Sequence, residues 1–141
     1  MPNLNQINFI KMNHNLIKEP IAIMGSKEYK FDAYNYIDEL NNLGFKDIIG
    51  MDIDGGKGVD IIIDICSLEA NYIKKNKRIF NTIICMQTLY AVKNPFDAAK
   101  NIETLLKVNG VLIFSDIYYL SIDYWGLVSF IFITLALTLF V

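Results

Sequence analysis

Short apolar runs alternate with longer amphipathic stretches along this chain. Ile21-Ala-Ile-Met24 stops at Gly25, and its length and the following glycine predict a buried strand. A polar loop follows over residues 25–30. Apolar residues then recur at Ala33, Tyr34, Ile37 and Leu40, the spacing of an amphipathic helix over 31–43, with Gly44 placed to close it. Asp47–Ile53 predicts a second strand and Ile79–Met86 a fourth. Between them lies Val59–Ile65, a third apolar run. Ser67 is placed to cap a helix running to about Lys77, with Leu68, Tyr72 and Ile73 inward. Asn94-Pro95-Phe96-Asp97 is a helix start: Asn as cap, Pro at the first helical position, an acid in the first turn. That helix carries Phe96, Ala99, Ile102, Leu105 and Leu106 and ends at Asn109-Gly110, ahead of a fifth strand, Val111–Phe114.

Strands alternating with helices predict one α/β domain over 20–117 with a mostly parallel sheet and flanking helices. Residues 1–19 read as a loose arm, with at most one helical turn. One connection has two solutions. Asp54-Gly55-Gly56 is a hairpin signal, which would turn the third strand antiparallel to the second. A parallel crossover ordinarily takes about a dozen residues, more than this turn offers.

After Asp116 the pattern changes. Tyr118, Tyr119, Tyr124 and Trp125 cluster, and 127–141 is a run without a charge. As a helix it would span roughly 22 Å at ~1.5 Å per residue, short of a hydrocarbon core of about 30 Å. Residues 118–141 read as an aromatic and hydrophobic C-terminal tail, and three readings of 127–141 stand side by side: a buried core segment, a membrane-associated tail, or an abnormal end such as a truncated or frameshifted reading frame.

Composition narrows the function classes. With 141 residues and 53% apolar composition the chain can bury a core, and disorder is excluded. The net charge of −2 makes no electrostatic case for nucleic acid or an acidic membrane surface. Cys66 and Cys85 have neither zinc nor redox spacing and read as buried free thiols. Together with an N-terminus lacking an apolar signal core, they point to a cytoplasmic protein. His14 reads as a surface residue, and Lys74, Lys75, Lys77 and Arg78 as a solvated helix end. No feature sets an oligomeric state, and no metal-ligand spacing appears.

The candidate chemistry lies at strand ends. Gly25 follows the first strand, where backbone N–H groups can meet an anion or a ligand carboxylate. Asp52 ends the second strand, 27 positions after Gly25. A carboxylate there can accept two ribose hydroxyls. Asp64 ends the third run and can accept from an exocyclic amine, beside the apolar Ile65. Asp54 falls inside the turn, and Asp60 reads as structural. No Ser–His, Cys–His or paired-acid constellation is present, so any catalysis works by positioning a reactive cofactor.

This order of elements resembles the class I S-adenosylmethionine-dependent methyltransferases, most closely the small bacterial ones found among polysaccharide and cell-surface genes. The resemblance covers about residues 20–117. It rests on Ile-Met-Gly25-Ser-Lys-Glu-Tyr, on Gly-Met-Asp52-Ile with its continuation to Asp64-Ile65, and on Phe80-Asn-Thr-Ile-Ile-Cys-Met-Gln87-Thr-Leu89. Val-Lys-Asn-Pro-Phe-Asp-Ala-Ala-Lys-Asn-Ile and Leu-Leu-Lys-Val-Asn-Gly-Val-Leu-Ile-Phe-Ser complete it. It implies a Rossmann-like fold with incomplete C-terminal strands, S-adenosylmethionine as cofactor and a small-molecule acceptor, such as a cell-surface saccharide precursor. By position, Gly25 and Ser26 would approach the methionine part, Asp52 the ribose and Ile53 the adenine face. Asp64 and Ile65 would meet the adenine edge, with Met86 and Gln87 beside the sulfonium. The chain departs from the family at Ile23, where an acid is usual, and at Leu89-Tyr90-Ala91, where Leu-Glu-His is frequent. A non-catalytic, truncated cofactor-binding remnant is the alternative reading, and a membrane-attached module with 125–141 as its functional end is a third.

Overall fold

The computed structural model describes residues 2–67 and 70–116. Five parallel strands form one sheet in the order β3-β2-β1-β4-β5. The strands are β1 (Ile21–Met24), β2 (Ile48–Asp52), β3 (Ile61–Ile62), β4 (Phe80–Met86) and β5 (Leu106–Ser115). Helices α1 (Leu4–Met12), α2 (Tyr36–Asn42), α3 (Asn71–Lys75) and α4 (Pro95–Leu105) cover its faces. This is the expected α/β, Rossmann-like arrangement.

Side-chain alternation along β1 and β4 divides the core. Ala22, Met24, Ile83 and Cys85 face one way, onto α3 and α4 through Ile73, Ala98, Ile102 and Leu105. Ile21, Ile23, Ile84 and Met86 face the other way, onto α1 and α2 through Ile7, Ile10, Tyr36 and Leu40. Both strands are buried on both faces, as parallel central strands must be.

The first helix corrects the loose-arm reading. Asn3 and Gln6 form a reciprocal capping box. Ile7 and Ile10 are fully buried, and Gln6 Oε1 accepts from Tyr36 Oη at 2.9 Å. The following segment is pinned as well: the Thr82 hydroxyl donates to Lys18 O and accepts from Lys18 N, each at 2.9 Å. The polar, Asn-rich surface of this stretch hides a narrow apolar seam.

The turn after β2 is not a hairpin. Met51 and Asp52 pair in parallel with Ile61 and Ile62, and Asp60 Oδ2 accepts the Gly50 N–H at 2.7 Å. A third strand of two residues suffices because the intervening loop lies tight against β2. A Cβ on Gly50 would stand 1.9 Å from Gly58 O, so only glycine admits that approach.

Helix bounds shift too. The second helix begins at Tyr36, not Phe31, because Asn35 caps it by accepting from Ile37 N and Asp38 N. The third begins after Ala70, and Ser67 does not cap it. In α4 the buried positions are Ala98, Asn101, Ile102 and Leu105, while Phe96 is exposed. The last strand starts directly at Leu106, and its register against β4 shifts between Phe80 and Thr82. Cys85 is a buried free thiol, Cys66 a half-buried one. His14 is exposed, its Nδ1 beside Lys11 O at 2.8 Å. No helix among the described residues is long and apolar enough to cross a membrane. The readings of 118–141 lie outside the described residues.

Candidate functional site

Strand order reverses between β1 and β4, and at such a switch point an open α/β sheet leaves a crevice at its carboxyl edge. A cavity of about 500 Å³ occupies that edge. The connections after β1, β2, β3 and β4 all contribute to its walls.

The eight residues that the resemblance places at the cofactor all line this one cavity. Gly25 and Ser26 follow β1, and Asp52 and Ile53 close β2. Asp64 and Ile65 lie beyond β3, and Met86 and Gln87 close β4. Their exposures differ. Ile53 is 64% exposed and presents an open apolar face beside Asp52, whereas Ile65 at 7% shows the cavity little more than an edge.

Asp52 is held by its neighbours. Its Oδ2 accepts the Lys27 N–H at 3.1 Å and its Oδ1 the Asp54 N–H at 3.2 Å. Each carboxylate oxygen has a second lone pair, so both can still accept a hydroxyl. Asp64 Oδ1 accepts from Cys66 N at 2.9 Å. Buried Asn101 steadies that stretch from α4, donating to Ile65 O at 2.7 Å and Ser67 O at 3.2 Å. Asp54 is taken up by Lys27, Nζ to Oδ2 at 3.3 Å.

The loop after β1 departs from expectation. The Gly25 and Ser26 N–H groups both point to Met51 O, at 2.8 and 3.1 Å. With the Lys27 N–H on Asp52, the start of this loop has no anion cradle. It is a brace between β1 and β2.

Thr88 is a structural contributor that sequence reasoning missed. Its hydroxyl donates to Met24 O at 3.0 Å, with Met86 O at 3.2 Å, and so ties β4 to β1 across the crevice. Beside it Gln87 takes φ 55, an uncommon value for a non-glycine residue. Its N–H donates to Ser115 O at 2.6 Å. Asp32 and Asn35 also line the cavity; both fall within the 31–43 stretch whose spacing predicts a helix, and neither stood out in the sequence. The signal for Asn35 was its spacing to Asp38, a helix-start pattern masked by apolar Ala33 and Tyr34 just before it.

Charge in the cavity is uneven. Glu28, Asp32, Asp52, Asp54 and Asp64 line it, against Lys27 and Lys93. Glu28 and Asp54 are ion-paired, the former to Lys57 at 2.6 Å. Lys27 also stands 5.6 Å from the Tyr29 ring centre. Burial, and then the Asp32 carboxylate, hold the Tyr36 phenol well above its ordinary range, so it stays a hydrogen-bond donor to Gln6. Burial, and then Asp116, push the Cys85 thiol up to about 12, against a small opposing effect of Thr88. That thiol is a core group, not a nucleophile.

Comparison with known proteins finds no matching family model, no matching curated protein and no matching solved structure.

Proposed function

We propose that this chain binds S-adenosylmethionine at the carboxyl edge of its sheet and acts as a methyltransferase on a small-molecule acceptor. The observation that carries the reading is the convergence of Asp52, Ile53, Asp64 and the β4 end on one cavity at the switch point.

The chemistry of the lining selects among nucleotide-like ligands. Asp32, Asp52 and Asp64 line the cavity without a lysine or arginine partner among the described residues. Phosphate groups would meet those carboxylates with the first loop's N–H groups already used, at a cost in repulsion and desolvation. A nucleoside with two free hydroxyls and a net positive charge meets no such penalty. S-adenosylmethionine has that character, and when bound it supplies a methyl group activated by a sulfonium.

The chain's own residues then have separate tasks. Asp52 accepts the ribose hydroxyls while its backbone donors hold it in place. Ile53 covers one face of the adenine, and Asp64 accepts from the exocyclic amine. Gln87 and Met86 border the place where the acceptor must approach. Positioning of two reactants supplies the rate, since no acid–base pair is assembled at the cavity among the described residues.

Calorimetry with S-adenosylhomocysteine tests the reading. The folded protein should bind it, and Asp52→Asn should weaken binding about 10- to 100-fold, the loss of one or two hydrogen bonds to a charged acceptor. No binding, or binding indifferent to Asp52, sinks the proposal. Binding without methyl transfer to any component of a cell extract would mark a cofactor-binding domain lacking transferase activity.

A further inference from the structure

We infer that the β1–α2 loop carries a clamp for a zwitterionic amino-acid group, with Asp32 receiving its ammonium and Asn35 its carboxylate. The inference rests on the cofactor reading above and assigns that ligand's amino-acid end to residues outside the glycine turn.

Three buried side-chain polar atoms among the described residues have no hydrogen-bond partner: Ser26 Oγ, Asp32 Oδ1 and Asn35 Nδ2. All three residues belong to the β1–α2 connection, and all three line the same cavity. Buried polar groups are nearly always paired, so their concentration in one loop marks a place built to pair with something else. Ser26 is the exception to set aside, because its Oγ is packed near Gly50, 2.7 Å from where a Cβ would stand.

Asp32 and Asn35 share a design. One end of each side chain is fixed and the other is spare. Asp32 Oδ2 accepts the Tyr29 N–H at 2.9 Å, leaving Oδ1. Asn35 Oδ1 accepts from Ile37 N at 2.7 Å and Asp38 N at 3.2 Å, leaving Nδ2. The spare atoms are one anionic acceptor and one neutral donor. That pair complements an ammonium next to a carboxylate. An inorganic anion would be repelled by Asp32, and a simple cation has no use for an Asn35 donor. Both residues are half-buried, and a ligand that reaches the two spare atoms pairs two otherwise unpaired groups while the fixed ends keep their bonds.

The donors at the start of this loop are already committed. The Gly25, Ser26 and Lys27 N–H groups bond Met51 and Asp52. Lys27 Nζ pairs with Asp54, and the Tyr36 hydroxyl donates to Gln6.

Calorimetric titration of the full chain with two ligands tests the clamp: S-adenosylhomocysteine, and 5′-methylthioadenosine, which lacks the amino-acid end. The wild type should bind the first at least tenfold more tightly. Asp32→Asn keeps an acceptor for Tyr29 N, and Asn35→Asp keeps the helix cap. Each should cost S-adenosylhomocysteine at least tenfold while leaving methylthioadenosine within twofold, with melting temperatures reporting that the variants are folded. Equal wild-type affinity for the two ligands overturns the clamp alone, and so does an equal loss for both in the variants or no loss in either. If neither ligand binds the wild type, the cofactor reading falls and the clamp falls with it.

Discussion

At Gly25 the backbone turns with φ +70, and a Cβ would meet Thr88 Oγ1 at 2.6 Å. Both facts act on one residue. Gly25→Ala should destabilise the fold by about 1–3 kcal/mol, from left-handed strain plus displacement of the Thr88 hydroxyl. Urea denaturation of Gly25→Ala, Thr88→Ala and the double variant separates the two. If the clash matters, the double variant is less destabilised than the sum of the singles; strict additivity would refute the contact. At this scale Asp52 and Asp64 were legible because a strand-ending carboxylate is a local pattern. Thr88 was not, since its bond to Met24 spans 64 positions of sequence.

Elements here are decided by what crosses them. In β2 a glycine is ordinarily a weakness, yet Gly50 is what lets Gly58 pass and β3 pair in parallel. Gly50→Ala would force a 1.9 Å contact apart. It should cost more than about 3 kcal/mol, as severe overpacking does, with slower-migrating, protease-sensitive protein as the accompanying sign. A variant as stable as the wild type would show that the 53–60 loop can lie elsewhere. The N-terminal helix makes a parallel case. Ile10 is fully buried against the sheet, so Ile10→Ala should lose about 2–5 kcal/mol. Were the first residues a loose arm, the loss would be close to zero. Hydropathy could not see this helix, because only Gln6, Ile7 and Ile10 in it are buried.

The whole molecule should respond to alkali through two buried acids. The Cys85 thiol is pushed up to about 12 and the Tyr36 phenol is also raised. Unfolded, these groups ionise near about 8.5 and 10. The unfolded chain therefore loses protons first, and stability falls as pH rises from about 9 towards 12. Below that window both groups are neutral in either state and contribute no slope. The urea midpoint, followed from pH 8 to 11, should decline, and less steeply in a Cys85→Ala, Tyr36→Phe double variant. An unchanged slope would mean that other groups govern the alkaline limit.

The alternation of apolar runs and amphipathic stretches determined the α/β class, the strand count over 20–117 and the carboxylates at strand ends. These are local properties, set by side-chain period and by the residues that punctuate it. Tertiary structure decided the rest. Parallel pairing of β3 depended on a close backbone approach at Gly50, and the burial of α1 on a sheet face formed by distant strands. The loop N–H groups turned inward because Met51 O lay within reach once β1 and β2 were side by side. Hydropathy and spacing record what each residue prefers. Which donors remain for a ligand depends on which partners the folded chain has already brought to the others.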